Sequence, residues 1–183
     1  MRVAVTGTPG TGKTTATARL ESRWEAHDGT DDGSTPDLEV IHLNRVLEEA
    51  GLYTEVDAER ESKVADLEAL EEWLADREDV VIESHLAHHF DADRVVVLRC
   101  HPETLEERLL ERGETEAKAR ENAESEALDV ILSEAVEEHD LESVYEIDTT
   151  DRDPDAVASD LEAVTAGERE PSAGDVDFVE YLV

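Results

Sequence analysis

The sequence predicts an α/β domain, a parallel sheet wrapped by helices, with ligand bound at the C-terminal edge of the strands. Three observations carry that prediction. Short apolar runs alternate with amphipathic helical segments along the whole chain. Gly7-Thr8-Pro9-Gly10-Thr11-Gly12-Lys13-Thr14 fits the phosphate-loop pattern G-x-x-x-x-G-K-[ST] at every fixed position. The length, 183 residues, suffices for one well-buried domain and not comfortably for two.

The elements follow in order. Arg2 to Thr6 reads as a buried strand, and Thr15 to about Ala26 as a helix with Ala16, Leu20 and Trp24 at spacings of four. Residues 27–36 are polar, Gly-containing and turn-forming, an exposed loop. Leu38 to His42 is a short strand; Asn44 then caps a brief helix that Gly51 stops. Leu52 to Val56 reads as irregular. A longer helix is expected from about Ala58 to Arg77, with Val64, Leu67, Leu70, Trp73 and Leu74 as its apolar stripe. Asp79 to Glu83 is an apolar strand ending in a carboxylate, followed by a loop from Ser84 to Phe90. Arg94 to Arg99 is the central strand. Pro102 opens a helix with Leu105, Leu109 and Leu110 inward, broken at Gly113. Glu114 to Glu138 reads as one helix with Ala127, Val130, Ile131, Leu132 and Val136 as its apolar positions. Val144 to Asp148 is the last strand, and Asp153-Pro154 starts a final helix to about Ala166. The domain thus spans residues 1–166, and 167–183 form a linker and a short apolar tail whose expected use is docking on the body.

Composition bounds the setting. The net charge is −34, from 50 Asp+Glu against 16 Lys+Arg. The acid is spread over every predicted helix face rather than gathered in a tail. With only the lysines Lys13, Lys63 and Lys118 and few aromatics, this pattern reads as adaptation to molar salt, where the Debye length shrinks to about 3 Å and self-repulsion is screened. The charge gives no support for direct nucleic-acid binding. One cysteine, Cys100, excludes an internal disulfide and a cysteine zinc cluster. With no signal-peptide pattern and no membrane-length apolar run, the expectation is a cytoplasmic protein with no membrane partner.

The phosphate loop implies a bound nucleoside triphosphate. Glycines let backbone N–H groups turn inward on phosphates, and the helix N-terminus adds partial positive charge. Lys13 would reach the β- and γ-phosphates, Thr14 would hold Mg²⁺ and Thr15 would touch the α-phosphate. Glu83, ending an apolar strand, is the candidate metal carboxylate. His85, two residues on, would orient the attacking group or a metal-bound water, or is an ordinary loop histidine. Arg108 and Arg112, one turn apart, would neutralise developing charge; alternatively they pair with Glu111 and Glu116 on a solvated face. Asn44, Arg45 and Tyr53 are candidate acceptor contacts. His88 and His89 read as solvated, since no carboxylate spacing completes a zinc site around them.

Together, the phosphate loop through Thr15, Val81-Ile82-Glu83-Ser84-His85, Val97-Leu98-Arg99, and Glu106 through Gly113 resemble the small atypical adenylate kinases, the isoenzyme-six group also known as ribosome-assembly ATPases. The resemblance runs from Val3 to about Ala166. It implies a nucleoside monophosphate kinase fold with a five-stranded parallel sheet, an acceptor-binding segment at about 30–53 and a lid at about 103–114. It implies ATP held by Gly10, Gly12, Lys13, Thr14, Thr15 and Arg112, and transfer from Mg-ATP to AMP with ATPase activity alongside. It also implies a role in small ribosomal subunit maturation through a ribosomal protein partner. Glu83 stands where many members carry Asp, and no arginine clearly matches the family's acceptor-site pattern.

Overall fold

The computed structural model describes residues 1–27, 38–57 and 62–182. In chain order the first half contains β1 (Arg2–Thr6), α1 (Lys13–His27), β2 (Glu39–His42), α2 (Leu43–Ala50), β3 (Tyr53–Asp57), β4 (Ser62–Ala65), α3 (Leu67–Leu74) and β5 (Val80–Glu83). The second half contains β6 (Arg94–Arg99), α4 (Pro102–Glu111), α5 (Glu116–Ala127), α6 (Val130–Glu138), β7 (Val144–Asp148) and α7 (Pro154–Ala166). Strands apolar on both faces must be covered on both faces. They pair in the order β2-β5-β1-β6-β7, and every pairing is parallel.

Side chains alternate across the sheet and divide the core in two. Val3, Val5, Val96, Leu98 and Ile147 face α1 and α7, where Leu20, Trp24, Leu161 and Val164 cover them. Ala4, Ile82, Val95 and Val97 face the other way, against Leu43, Leu70, Leu74 and Leu132. Truncating a side chain as enclosed as Leu20, 0% exposed, to alanine costs about 2–5 kcal/mol. The parallel register sets His42 beside Glu83 and Glu83 beside Val5, so three strands end level with one another at one edge. Such an edge gathers the residues that follow each strand.

Several elements differ from the sequence reading. Residues 52–56 are not irregular: Tyr53–Asp57 is a strand, paired antiparallel with Ser62–Ala65. The helix expected from 58 therefore begins only at Leu67, after Asp66 caps it by accepting a bond from Ala69 N at 3.1 Å. Residues 58–61 of that expectation lie outside the described residues, as do 30–37 of the expected acceptor segment and the loop over 28–36. Of the expected stripe, Leu70 and Leu74 are buried, whereas Val64 and Leu67 are exposed. Helix α2 begins one residue before Asn44, so Asn44 lies in the first turn and does not cap it. Gly51 ends that helix in the left-handed conformation at φ 68°, as read from the sequence. The expected single helix over 114–138 divides at Asp129, whose φ of 54° turns the chain between α5 and α6. Leu110 and Val130 are exposed rather than inward. The tail docks as expected: Phe178 meets His101 edge-on at 5.4 Å, and the Tyr181 hydroxyl donates to Glu106 at 3.2 Å. Among the described residues no helix is long and apolar enough to cross a membrane.

Candidate active site

The loop between β1 and α1 is bound into the fold at nearly every residue. Gly7 has φ 135°, and a Cβ there would meet Leu98 O at 2.3 Å; only glycine lets the loop pass this close to β6. A Cβ on Gly10 would meet the Leu105 side chain at 2.7 Å. The Thr11 hydroxyl donates to Thr8 O at 2.9 Å, and the Thr149 hydroxyl lies 2.9 Å from Thr11 O and 2.8 Å from Arg99 O. The Thr8 hydroxyl donates to the buried carboxylate of Glu126. That carboxylate also accepts from Arg99 Nε at 2.7 Å and from Cys100 N at 3.1 Å.

Lys13 is folded back into this loop. Its ammonium donates to Gly7 O at 2.7 Å and Thr8 O at 3.0 Å. Burial lowers its pKa to about 8, against the opposing pull of Glu83 and Glu126. The Thr14 hydroxyl donates to Glu83 Oε1 at 3.2 Å, and His42 Nδ1 lies 2.8 Å from Glu83 Oε2. A hydroxyl and a carboxylate in contact at a helix N-terminus form a hard-oxygen set suited to a small divalent ion, and Thr14 and Glu83 would hold Mg²⁺ here. Such an ion neutralises charge on phosphate oxygens.

Two cavities meet at the loop. The smaller, about 150 Å³, is lined by Lys13, Thr14, Asn44, Glu83, His85 and Arg112 together with Pro9, Gly10 and Gly12. Burial, then the Lys13 charge, lowers His85 to about 4, so its imidazole is neutral at ordinary pH. The larger cavity, about 420 Å³, lies across the loop and is lined by Thr15, Arg108, Arg112, Thr149, Arg152, Pro154 and Val157 with the loop glycines. Gly10, Gly12 and Arg112 line both.

Most of the sequence-derived candidates therefore converge: Gly10, Gly12, Lys13, Thr14, Thr15, Asn44, Glu83, His85, Arg108 and Arg112 line one cavity or the other. Arg45 does not. It is exposed on α2 and lines neither cavity, because Asn44 occupies the helix face turned to the loop. Tyr53, on β3, also lines neither. The alternative acid partners for the arginines are not used. Arg108 reaches Thr149 O at 3.0 Å and Thr149 Oγ1 at 3.4 Å, and Arg112 is in no ion pair among the described residues. His88 is the clearest correction: at 1% exposed it is not a solvated loop histidine.

Four features escaped sequence reasoning. His42 aims Glu83 and was legible only as the last residue of a strand. Thr149 and Arg152 follow the last strand, where the edge rule alone marked them. Glu126 answers Arg99, and an arginine ending an apolar central strand signals that some buried acid must exist. Asp129 and Glu146 complete the shell of Arg99. The remaining oxygen of Glu146 accepts from Gly174 N at 2.6 Å and Asp175 N at 2.8 Å, pinning the tail.

A glycine loop closed over its own lysine, set between two cavities at the edge of a five-stranded parallel sheet, defines a P-loop kinase fold. The family described as "AAA domain" matches residues 3–129, more than half of the chain, and the chain belongs to it. A protein of Natronomonas pharaonis described as "Putative adenylate kinase" is 61% identical over 182 residues, covering 100% of both chains. One of the same description from Halobacterium salinarum is 57% identical over 183 residues, again covering 100% of both. The crystal structure of a shikimate kinase from Bacteroides thetaiotaomicron superposes with a TM-score of 0.58 at 20% identity, covering 90% of this chain and 98% of that one.

Proposed function

We propose that the protein is an adenylate kinase of the small atypical group, transferring the γ-phosphoryl group of Mg-ATP to AMP to give two ADP. The observation that carries this reading is the pair of cavities meeting at the glycine loop with Arg112 on both. The larger takes the adenosine of ATP, with Pro154 and Val157 as its apolar wall and Arg108 over the opening. The smaller is where the γ-phosphoryl group meets the acceptor. Phosphoryl transfer asks for position and charge rather than covalent chemistry from the protein. Lys13 leaves the loop carbonyls for the β- and γ-phosphates, Arg112 closes from the lid over 103–114, and Asn44 contacts the acceptor. Arg45 would reach an acceptor phosphate only if α2 moved. The relatives described as "Putative adenylate kinase" support the reaction, and their haloarchaeal hosts support a cytoplasm at molar salt.

A second reading has its own observation. Among the described residues α2 brings no cation to the transfer cavity, its Arg45 lining neither cavity, while neutral His85 lines it. In that reading His85 orients water, and ATP hydrolysis acts on a ribosomal protein during small-subunit maturation. The motif Glu83-Ser84-His85 and the pair Arg112-Gly113 support placement in that subgroup. ADP formation from Mg-ATP in molar KCl, with and without AMP, separates the two. A large AMP-dependent rise establishes the kinase; a slow rate indifferent to AMP removes it and favours the hydrolase.

A further inference from the structure

The turn after β5 carries a second cluster of chemistry that the phosphoryl-transfer reading leaves unused. His88 and His89 lie in a single 3₁₀ turn, Ala87–His89, with ring centroids 4.1 Å apart. Helix α6 faces that turn and brings Glu134 and Glu138, one helical turn apart. His88 Nε2 lies 3.1 Å from Glu134 Oε2. One ring nitrogen each from His88 and His89 and a carboxylate oxygen of Glu134 all lie within 4.8 Å of one another. Ligand atoms around a tetrahedral ion at bonds of about 2.0–2.1 Å stand about 3.3 Å apart. One pair already has that separation. The rest of the closure falls to Glu134 and His89, whose side chains are 45% and 24% exposed and have room to adjust.

The surroundings orient these groups as ligands are oriented. Nδ1 of His88 is held 2.9 Å from the Thr6 hydroxyl, which also lies 3.3 Å from His85 O. A hydroxyl has one proton. When it goes to the carbonyl, which can only accept, Nδ1 of His88 carries the ring proton and Nε2 presents a lone pair to a carboxylate. A cation between them satisfies both. Nδ1 of His89 lies 2.7 Å from Glu138 Oε1, a carboxylate aiming a histidine from behind. His139 donates to His88 O at 2.7 Å and fixes the turn. None of His88, His89 or Glu134 lines the transfer cavity.

We propose that His88, His89 and Glu134 bind a divalent transition ion such as Zn²⁺, leaving one position for water. Two imidazoles and one carboxylate suit such an ion better than Mg²⁺. The ion would tie the turn after β5 to α6. Through Thr6, which precedes the first glycine of the phosphate loop, it would brace β1 as well.

The test uses the full-length, untagged protein in buffer with excess Mg²⁺, which keeps Thr14 and Glu83 supplied. Co²⁺ is titrated into chelator-treated protein and followed by the visible absorption of a four-coordinate site and by equilibrium dialysis. His88 is buried, so its removal risks the fold; His89→Ala and Glu134→Gln are the informative variants, with circular dichroism as the folding control. The expected result is one ion per chain in the wild type and at least about tenfold weaker binding in both variants. No stoichiometric uptake by the wild type, or wild-type affinity in either variant, overturns the proposal. Phosphoryl transfer, measured in excess Mg²⁺ with a chelator selective for transition ions, stays near wild type in both variants, which separates this site from the transfer cavity.

Discussion

The phosphate loop and the acceptor wall sit on opposite sides of one small cavity and are built in opposite ways. The loop is made of backbone, pinned by Thr149 on Thr11, by Glu126 on Thr8 and by Lys13 on two carbonyls. The described acceptor wall is made of side chains on a short surface helix. Asn44 is exposed, with one bond to Ser84 Oγ at 3.2 Å, and Arg45 is exposed and lines neither cavity. The difference teaches where each part of recognition resides. On the proposed reading, triphosphate binding would draw on a loop already held in place by folding. Acceptor recognition would draw on exposed side chains with few partners of their own.

The largest effect should come from the rigid side. Lys13→Ala is expected to lower turnover by at least about 10²-fold with the fold intact, since it removes the loop's own cation from the reacting phosphates; steady-state ADP production and circular dichroism check both halves. A normal rate would erase the contrast between the two walls. Glu126→Ala attacks the same wall from beneath. It leaves Arg99 short of a buried partner and should cost about 3–5 kcal/mol in denaturant unfolding, together with weaker ATP binding through the freed Thr8. Unfolding without any change in ATP affinity would show that the loop needs no support from α5.

A pH series sharpens the comparison. Lys13 is lowered to about 8 by burial, so in the free protein it is charged below that pH and neutral above it. Phosphates favour the charged form, so bound ATP raises the pKa. Affinity should therefore fall as pH climbs past about 8, by up to about tenfold per unit, and calorimetry in buffers of different ionisation enthalpy should show proton uptake on binding. Flat affinity from pH 7 to 9 would mean that Lys13 stays charged in the free protein across that range.

On the acceptor side the effects should be smaller. His85→Ala is expected to slow hydrolysis about tenfold, below the roughly 10²–10⁴-fold of a group that itself transfers the proton, because His85 orients the water, with ATP affinity nearly unchanged. His85 sits near 4, so the wild-type rate should carry no inflection from it between pH 5 and 7. Arg45→Ala should leave the rate with saturating AMP within about twofold, as for an exposed surface side chain; a larger loss would show that α2 swings inward during the reaction.

What the sequence disclosed follows the same division. The loop glycines, Lys13 and Thr14 were legible because their spacing is fixed by one strand, one turn and one helix, and Glu83 because it ends an apolar run. The sheet was legible because Val80–Ile82 and Val95–Leu98 are apolar at consecutive positions. The β3–β4 pair was not: Val64 falls in step with the helical period of Leu67 and Leu70 by accident, and the strand pairing that places it is a tertiary fact. His88 was misjudged for a similar reason. Its burial is set by Thr6, 82 positions away, and its acid partner lies 46 positions on in another element.

The Arg99 cluster also ties the glycine loop to distant stretches of the chain. Thr8 is held by an acid 118 positions further along the chain, which belongs to α5 and leans on Arg99. That arginine leans in turn on Glu146, whose free oxygen is capped by backbone N–H groups at 174–176. The last support of the glycine loop therefore comes from backbone at 174–176, far along the chain from Thr8 itself.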